Sequence, residues 1–400
     1  MSTYDHLIIG AGMAADTAMH AIREADPHGT IGVFGAEPHP PYDRPPLTKA
    51  LWKGKPESAI WRDVKTAAAD LHLGRRIERI DPRSSSVTDD RGTAFGYGKL
   101  LIATGGSPRR LPGSDDRESK DRILYYRTLD HYRRLRDLAS EPLRFAVVGG
   151  GFIGMEIAAA LRMQEREVEL FVGGDGLGTH LFPEDLSSFL VDYYSQQGVV
   201  VRTEGNVDVE ERGGVVVIRP ESGGEFEADV AVVGIGISPN VELARGAGLA
   251  VGDGIEVDSF LRTSAPDVYA AGDVASFHQP VLGKRIRVEH ESNADAMGRA
   301  AGLAMAGAPS PYEALPFFYS DLFDLGFEAV GELDPRLETF ADWKEPFREG
   351  VVYYLAKDRV RGVLLWNTWD QVDNARRLIE EAKPVKKSEL EGRLPQGEVA

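Results

Sequence analysis

The stretch His6-Leu7-Ile8-Ile9-Gly10-Ala11-Gly12-Met13-Ala14-Ala15 decides how this chain folds. Four apolar residues read as a buried strand, the glycines as a turn, and Met13 onward as a helix. The spacing is GxGxxA, and each small residue has a mechanical reason. Gly10 makes the tight turn, Gly12 lets backbone come close to a pyrophosphate, and Ala15 lets the helix pack on the strand. The helix start offers N–H groups to phosphate. About 20 residues on, the strand Thr30 to Phe34 ends beside Glu37, an acid placed to accept hydrogen bonds from an adenosine ribose. One such fingerprint is weak evidence. Phe145-Ala146-Val147-Val148 then runs into Gly149-Gly150-Gly151-Phe152-Ile153-Gly154-Met155-Glu156 with full GxGxxG spacing. Two dinucleotide sites in one chain point to FAD together with a nicotinamide nucleotide. Two glycine turns without ligands are the competing reading, disfavoured because each has a strand before it and a helix after it.

Composition narrows the chemistry. The 400 residues, 42% hydrophobic, suffice for a large core and two or three domains. A formal charge of -17 and a pI near 5.1 argue against nucleic acid and anionic membrane as partners, since both need a dominant positive field. Three basic clusters, Arg75-Arg76, Arg133-Arg134-Arg136 and Lys284-Arg285-Arg287, are candidate local docking points, though solvated surface charge is the commoner role. There is no cysteine. That excludes disulfides, cysteine metal sites and any thiol relay between flavin and substrate, so electrons must pass from flavin directly to an outside acceptor. No run approaches the about 18 apolar residues of a membrane span, and the first strand begins too close to Met1 for a signal peptide. A cytoplasmic location is the expectation.

After Glu37 the loop Pro41-Tyr42-Asp43-Arg44-Pro45-Pro46-Leu47-Thr48-Lys49 is stiffened by proline and can enter a helix at Leu47. Arg44 can pair with pyrophosphate there. Residues 74–97 suit an antiparallel hairpin turning at Asp89-Asp90-Arg91-Gly92, and Lys99 to Gly106 a buried strand with a tight turn. Ser107 to Asp121 reads as a linker. Past the second fingerprint, the strand Val168 to Val172 meets Gly173 where an acid would hold the nicotinamide nucleotide's ribose, with Asp175 two residues later. No arginine stands there for a 2′-phosphate, which favours NADH and leaves NADPH open. Asp229 to Asn240 and Asp267 to Val274 are two more strands ending in glycine turns, and Asp273 is placed to bond a ribityl hydroxyl. Ala294 to Met305 reads as a helix of small residues. From Pro316 the chain turns aromatic and strand-like at 317–320, 351–355 and 360–366, fitting an antiparallel domain with a terminal helix and a loose tail beyond Lys383.

In this order GxGxxA, PYDRPPLTK (41–49), LIATGG (101–106), GGGFIGMEIA (149–158), VGIGISPNVELA (233–244) and VYAAGDV (268–274) resemble the FAD-dependent ferredoxin reductases of oxygenase systems. RVEH (287–290), YSDL (319–322), GFEAVG (326–331) and GVVYYLAKDRVRGVLLWN (350–367) resemble the apoptosis-inducing factor branch more closely. The resemblance covers nearly the whole chain. It implies an α/β fold with two Rossmann-like dinucleotide-binding domains, glutathione-reductase-like, plus a C-terminal α+β domain. The FAD domain would be 1–110 with 238–315, the NAD(H) domain 111–237 and the last domain 316–400. It implies an FAD site at Gly10, Gly12, Ala14, Ala15, Glu37, Arg44, Lys49, Ile77, Arg127, Asp273, His290 and Glu291. The nicotinamide site would use Gly149, Gly150, Gly151, Phe152, Ile153, Gly154, Glu156, Gly173, Asp175, Gly236, Glu289, Tyr319, Glu328 and Asn367. Lys49, Glu156 and Phe152 would carry the chemistry, the first two as an ion pair beside the flavin. The chain departs from the pattern at Gly173, at Ala36 where relatives often have an acid, and at Tyr319 and Glu291, where they often have tryptophan or histidine.

The activity so implied is NADH reduction of FAD, followed by single-electron transfer to a ferredoxin, rubredoxin, cytochrome or quinone. A rival is an NADH-responsive interaction protein that is reduced slowly, holds a charge-transfer complex and binds a second copy or another partner. A flavin oxidase using oxygen is a third. No metal is expected.

Overall fold

The computed structural model describes residues 1–112 and 122–395, so part of the expected linker, 113–121, lies outside the described residues. The chain forms two compact units. One comprises Met1–Arg44, Pro56–Ser107 and Pro239–Phe317; the other comprises Pro45–Lys55, Pro108–Ser238 and Phe318–Ala400.

The first unit is built on a sheet in the order Asp70–Leu73, Ile31–Gly35, Ser2–Ile9, Ala94–Ile102, Ser86–Asp89, Ile77–Asp81. Ser2–Ile9 runs parallel to both of its neighbours, with Ile9 level with Phe34 on one side and Ile102 on the other. Residues 6–9 are all buried, as a central strand covered on both faces requires. The hairpin expected over 74–97 is not separate from the buried strand that follows. Ala94–Ile102 is one strand, pairing antiparallel with Ser86–Asp89 through its first half and parallel with Val268–Ala270 through its last residues. Two helices, Met13–Ala25 and Glu291–Met305, cover the core together. Their backbones meet at Gly298 and Gly302, where an added Cβ would lie 2.2 Å from Ala14 O and 2.3 Å from Ala18 O. Small residues recur in the second helix because its neighbour lies that close.

The second unit has a parallel sheet ordered Val200–Arg202, Glu167–Phe171, Arg144–Val148, Val230–Val233, Ile123–Tyr125, with the helix Phe152–Met163 following the glycine turn. It also contains an antiparallel sheet ordered Phe317–Leu322, Leu325–Gly331, Arg359–Trp366, Glu349–Ala356, Glu338–Glu345, on which Val372–Glu380 packs. Residues 351–355 are buried throughout, which explains their unbroken apolar run. Phe182, Phe327 and Trp366 pack together in this unit, Phe327 and Trp366 stacked at 5.7 Å. Two expectations are corrected. Leu47 does not start an α-helix: Pro45–Leu47 is a single 3-10 turn followed by further turns, in which Lys49 N and Leu51 N both donate to Pro46 O, at 3.2 and 3.1 Å. The tail beyond Lys383 is not loose up to 395, because Leu390 and Leu394 are buried and Gly392 N donates to Asp342 Oδ2 at 2.8 Å.

Candidate dinucleotide and redox site

Both glycine turns use the same device. Gly10 has φ +115° and a Cβ there would lie 2.1 Å from Ala103 O; Gly149 has φ +121° and its Cβ would lie 2.3 Å from Gly234 O. In each case the first glycine permits a sharp turn tight against the neighbouring strand's end. Gly12 differs, since nothing lies within 4 Å of its added Cβ. It is the N-cap of Met13–Ala25, and no side chain caps that helix. Gly151 repeats this at Phe152–Met163, with only His180 Cε1 at 3.7 Å. Open space above uncapped N–H groups fits a pyrophosphate at each turn. Ala15 is fully buried, Gly150 meets the Val172 side chain, and a Cβ on Gly154 would strike Gly149 O at 1.8 Å.

Other residues in the first unit cluster near its turn. Glu37 accepts from Arg44 Nη2 at 2.6 Å and from the Tyr42 hydroxyl at 2.7 Å. Burial pushes the Glu37 carboxyl up, but Arg44 and Tyr42 outweigh it and hold it below the usual range. Arg44, expected on pyrophosphate, thus stands on Glu37 in this structure. Gly272, before Asp273, places its added Cβ 3.1 Å from Ala14 Cβ, so that turn lies against the first helix. His290 is the N-cap and Glu291 the first residue of Glu291–Met305. Glu289 accepts from Arg287 at 2.5 Å. Ile77 is a core residue, 3% exposed, so its side chain is packing and only its backbone is left for a ligand.

The second unit holds the feature of greatest chemical interest. Glu156, 4% exposed, receives Lys49 Nζ at 2.7 Å, Thr48 Oγ1 at 2.5 Å and Ser320 Oγ at 2.5 Å. Lys49 also lies 5.5 Å from the Tyr319 ring centroid. The turn 45–55 is anchored by Leu47 O, which accepts from Trp52 Nε1 at 2.8 Å and the Tyr126 hydroxyl at 2.5 Å. Phe152 opens its helix against Phe318 and His180, with ring centroids at 5.1 and 5.7 Å. Tyr319 is 41% exposed. Glu328 Oε2 is buried without a hydrogen-bond partner, and burial followed by the nearby Asp370 charge pushes this carboxyl up. Arg127 precedes the capped helix Leu129–Leu138, its N–H donating to His131 Nδ1. Gly236 has φ +96°; Ile153 lies against Gly234; Gly173 and Asp175 are exposed beyond the strand Glu167–Phe171.

Asn367 Oδ1 accepts from Gly326 N at 2.7 Å and its Nδ2 donates to Arg348 O at 3.0 Å, so both ends of the amide tie the C-terminal sheet together. Thr48 and Ser320 were not singled out in the sequence, although each adjoins a residue that was. The basic clusters are largely spent internally: Arg75 pairs with Asp89, Arg287 with Asp253 and Glu289, and Arg133 with Asp130. Among the described residues no helix is long and apolar enough to cross a membrane.

Comparison with known proteins agrees with this geometry. Residues 4–298 match the pyridine nucleotide-disulphide oxidoreductase family, and 341–381 match the apoptosis-inducing factor C-terminal domain. Apoptosis-inducing factor 1, mitochondrial, of Dictyostelium discoideum is 33% identical over 94% of this chain and 78% of its own. The ferredoxin--NAD(+) reductase component of the anthranilate 1,2-dioxygenase system of Burkholderia cepacia is 34% identical over 95% of each. Putidaredoxin reductase in its covalent complex with putidaredoxin superimposes with a TM-score of 0.89 at 28% identity, covering 98% of this chain and 96% of that one. The chain belongs to the pyridine nucleotide-disulphide oxidoreductase family, in the group that joins oxygenase ferredoxin reductases to apoptosis-inducing factors, a family whose cofactors are FAD and NAD(P)H.

Proposed function

We propose that this flavoprotein oxidises NADH and passes the electrons one at a time to a ferredoxin-type iron–sulfur protein. FAD, when bound, supplies the step from two-electron to one-electron chemistry. The observation that carries the reading is the buried Lys49–Glu156 pair with its two hydroxyl donors, in a chain without cysteine. Glu156 is held in one rotamer by three donors and would orient the nicotinamide carboxamide, whose NH₂ needs an acceptor. The Lys49 ammonium, fixed by Glu156, would supply positive charge to a reduced flavin at little reorganisation cost. Phe152 closes one side with an apolar face. The first glycine turn, with Gly12, Glu37, Arg44, Asp273 and His290, would hold FAD in residues 1–110 and 238–315. The second would hold NADH in 111–237, and 316–400 would contribute Tyr319 and Glu328. The superimposed reductase is in complex with putidaredoxin, and the Burkholderia cepacia relative is by name a ferredoxin--NAD(+) reductase component, which supports the acceptor class. A cytoplasmic location goes with the bacterial relatives.

The test is anaerobic. Purified holoprotein is mixed with NADH, then with a two-iron ferredoxin, cytochrome c and a quinone. Fast flavin bleaching and rapid ferredoxin reduction are expected. Bleaching slower than about one per minute, with a change in dimer state, would replace the reading with an NADH-responsive interaction protein, which the 341–381 match favours. Peroxide as the main product under air would make it an oxidase.

A further inference from the structure

The adenosine ribose end of the second dinucleotide turn lacks its usual acid, and the structure shows what stands in its place. Glu167–Phe171 lies beside the strand leading into that turn, Phe171 level with Val148. In such units a residue shortly past this strand, here the second one beyond Phe171, reads the ribose, ordinarily through a carboxylate. Here it is Gly173, with no side chain to offer. On the other side Arg202 is level with Phe171 and its carbonyl accepts from Val172 N at 2.8 Å, which brings the chain after Arg202 to the same edge. A Cβ on Gly173 would lie 3.1 Å from Asn206 Oδ1. The missing side chain is thus supplied from the next segment.

Chemistry fixes which end of the amide faces Gly173. Asn206 Nδ2 donates to Glu221 Oε1 at 3.3 Å and Oε2 at 3.4 Å, and Glu221 N donates to Asn206 O at 2.9 Å. An ionised carboxylate can only accept, so the nitrogen must face Glu221 and the oxygen must face Gly173. That oxygen is an acceptor. It suits a ribose hydroxyl, which can donate, and not a phosphate dianion, which cannot. Nor does Arg202, at this edge, stand free for a phosphate. Arg202 Nε is on Glu169 at 2.6 Å, its Nη1 is 3.6 Å from Glu204, and its guanidinium lies 4.0 Å over the Phe226 ring.

We propose that Asn206, oriented by Glu221, recognises the adenosine ribose 2′-hydroxyl of the nicotinamide nucleotide and makes the site select NADH over NADPH. This rests on the second turn holding that nucleotide, as argued above. Calorimetric titration of the holoprotein with NAD⁺, 2′-deoxy-NAD⁺ and NADP⁺ tests it without turnover. NAD⁺ binds about tenfold more tightly than the 2′-deoxy analogue, one hydrogen bond's worth, and more tightly than NADP⁺. Asn206→Ala abolishes the difference between the first two, and Glu221→Gln, which lets the amide turn over, reduces it. Equal binding of NAD⁺ and the 2′-deoxy analogue by the unaltered protein overturns the proposal without any variant. So does a preference that survives Asn206→Ala, or NADP⁺ binding as tightly as NAD⁺. Binding none of the three would instead sink the assignment of the turn itself, and with it this inference.

Discussion

Lys49 Nζ stands 2.7 Å from Glu156 Oε1, and the carboxylate is almost wholly out of water. A buried charge with its counter-ion removed is costly, about 3 kcal/mol or more. Lys49→Met therefore destabilises the protein by roughly that amount, while Thr48→Val and Ser320→Ala, each removing one donor, cost about 1–2 kcal/mol. Denaturant titration of the four proteins gives the comparison. NADH-driven flavin reduction in Lys49→Met slows on the order of 100-fold. A Lys49→Met variant as stable as the parent would show that the ion pair contributes nothing to the fold.

Gly10 and Gly12 are separated by one residue yet have opposite sensitivities. A methyl at Gly10 meets a backbone carbonyl at 2.1 Å in a left-handed conformation, whereas one at Gly12 enters open space. Gly10→Ala should lose about 3 kcal/mol of stability even without cofactor. Gly12→Ala should fold within about 1 kcal/mol of the parent yet hold FAD at least about tenfold more weakly, because its methyl occupies the phosphate's approach. Thermal melts of the apoprotein and flavin titrations separate the two. Equal stability losses would remove the distinction between a packing glycine and a ligand glycine.

These glycines also show what was legible in the sequence. GxGxx(A/G) encodes close backbone approach in a local run, so both turns, their helices and the flanking strands could be read directly. The charged strand Glu338–Glu345 could not: it is an edge strand with much of its surface exposed, so it lacks an apolar pattern. Thr48 and Ser320 were missed because a hydroxyl acquires its role only from a carboxylate that is distant in sequence. The partners of the Asn367 amide are hidden in the same way, since only the folded sheet brings those two backbone groups to it.

Arg62 bridges three acids in the first unit: Asp16 Oδ2 at 3.2 Å, Asp43 Oδ1 at 2.7 Å and Asp295 Oδ1 at 2.8 Å. It fastens both covering helices and the loop before Arg44. Burial holds Asp16 above the usual carboxylate range despite Arg62 and His20. Arg62→Met should cost about 3–5 kcal/mol at pH 7. The deficit should shrink as pH falls through about 4–5, because the abandoned carboxylates then take up protons. Urea titrations of both proteins at pH 7 and pH 4.5 check the trend. A deficit that grows on acidification would contradict it.

Glu328 presents the opposite case, a carboxylate that the fold disfavours. Its Oε2 is buried without a partner, and desolvation, then Asp370, raises its pKa above the ordinary glutamate value. For a carboxyl raised on folding, the unfolded chain releases its proton first, so the protein loses stability as pH climbs from the unfolded value of about 4.3 through the raised folded one. The full loss is present above that range and none of it below. Glu328→Gln removes the charge and keeps the shape, and should stabilise the protein by on the order of 1 kcal/mol at pH 7. The gain should vanish near pH 4, where the parent is already protonated. Melting both proteins from pH 4 to 8 gives curves that diverge upward in pH. A Gln variant less stable than the parent at pH 7 would mean that the ionised carboxylate has a favourable partner in the folded protein.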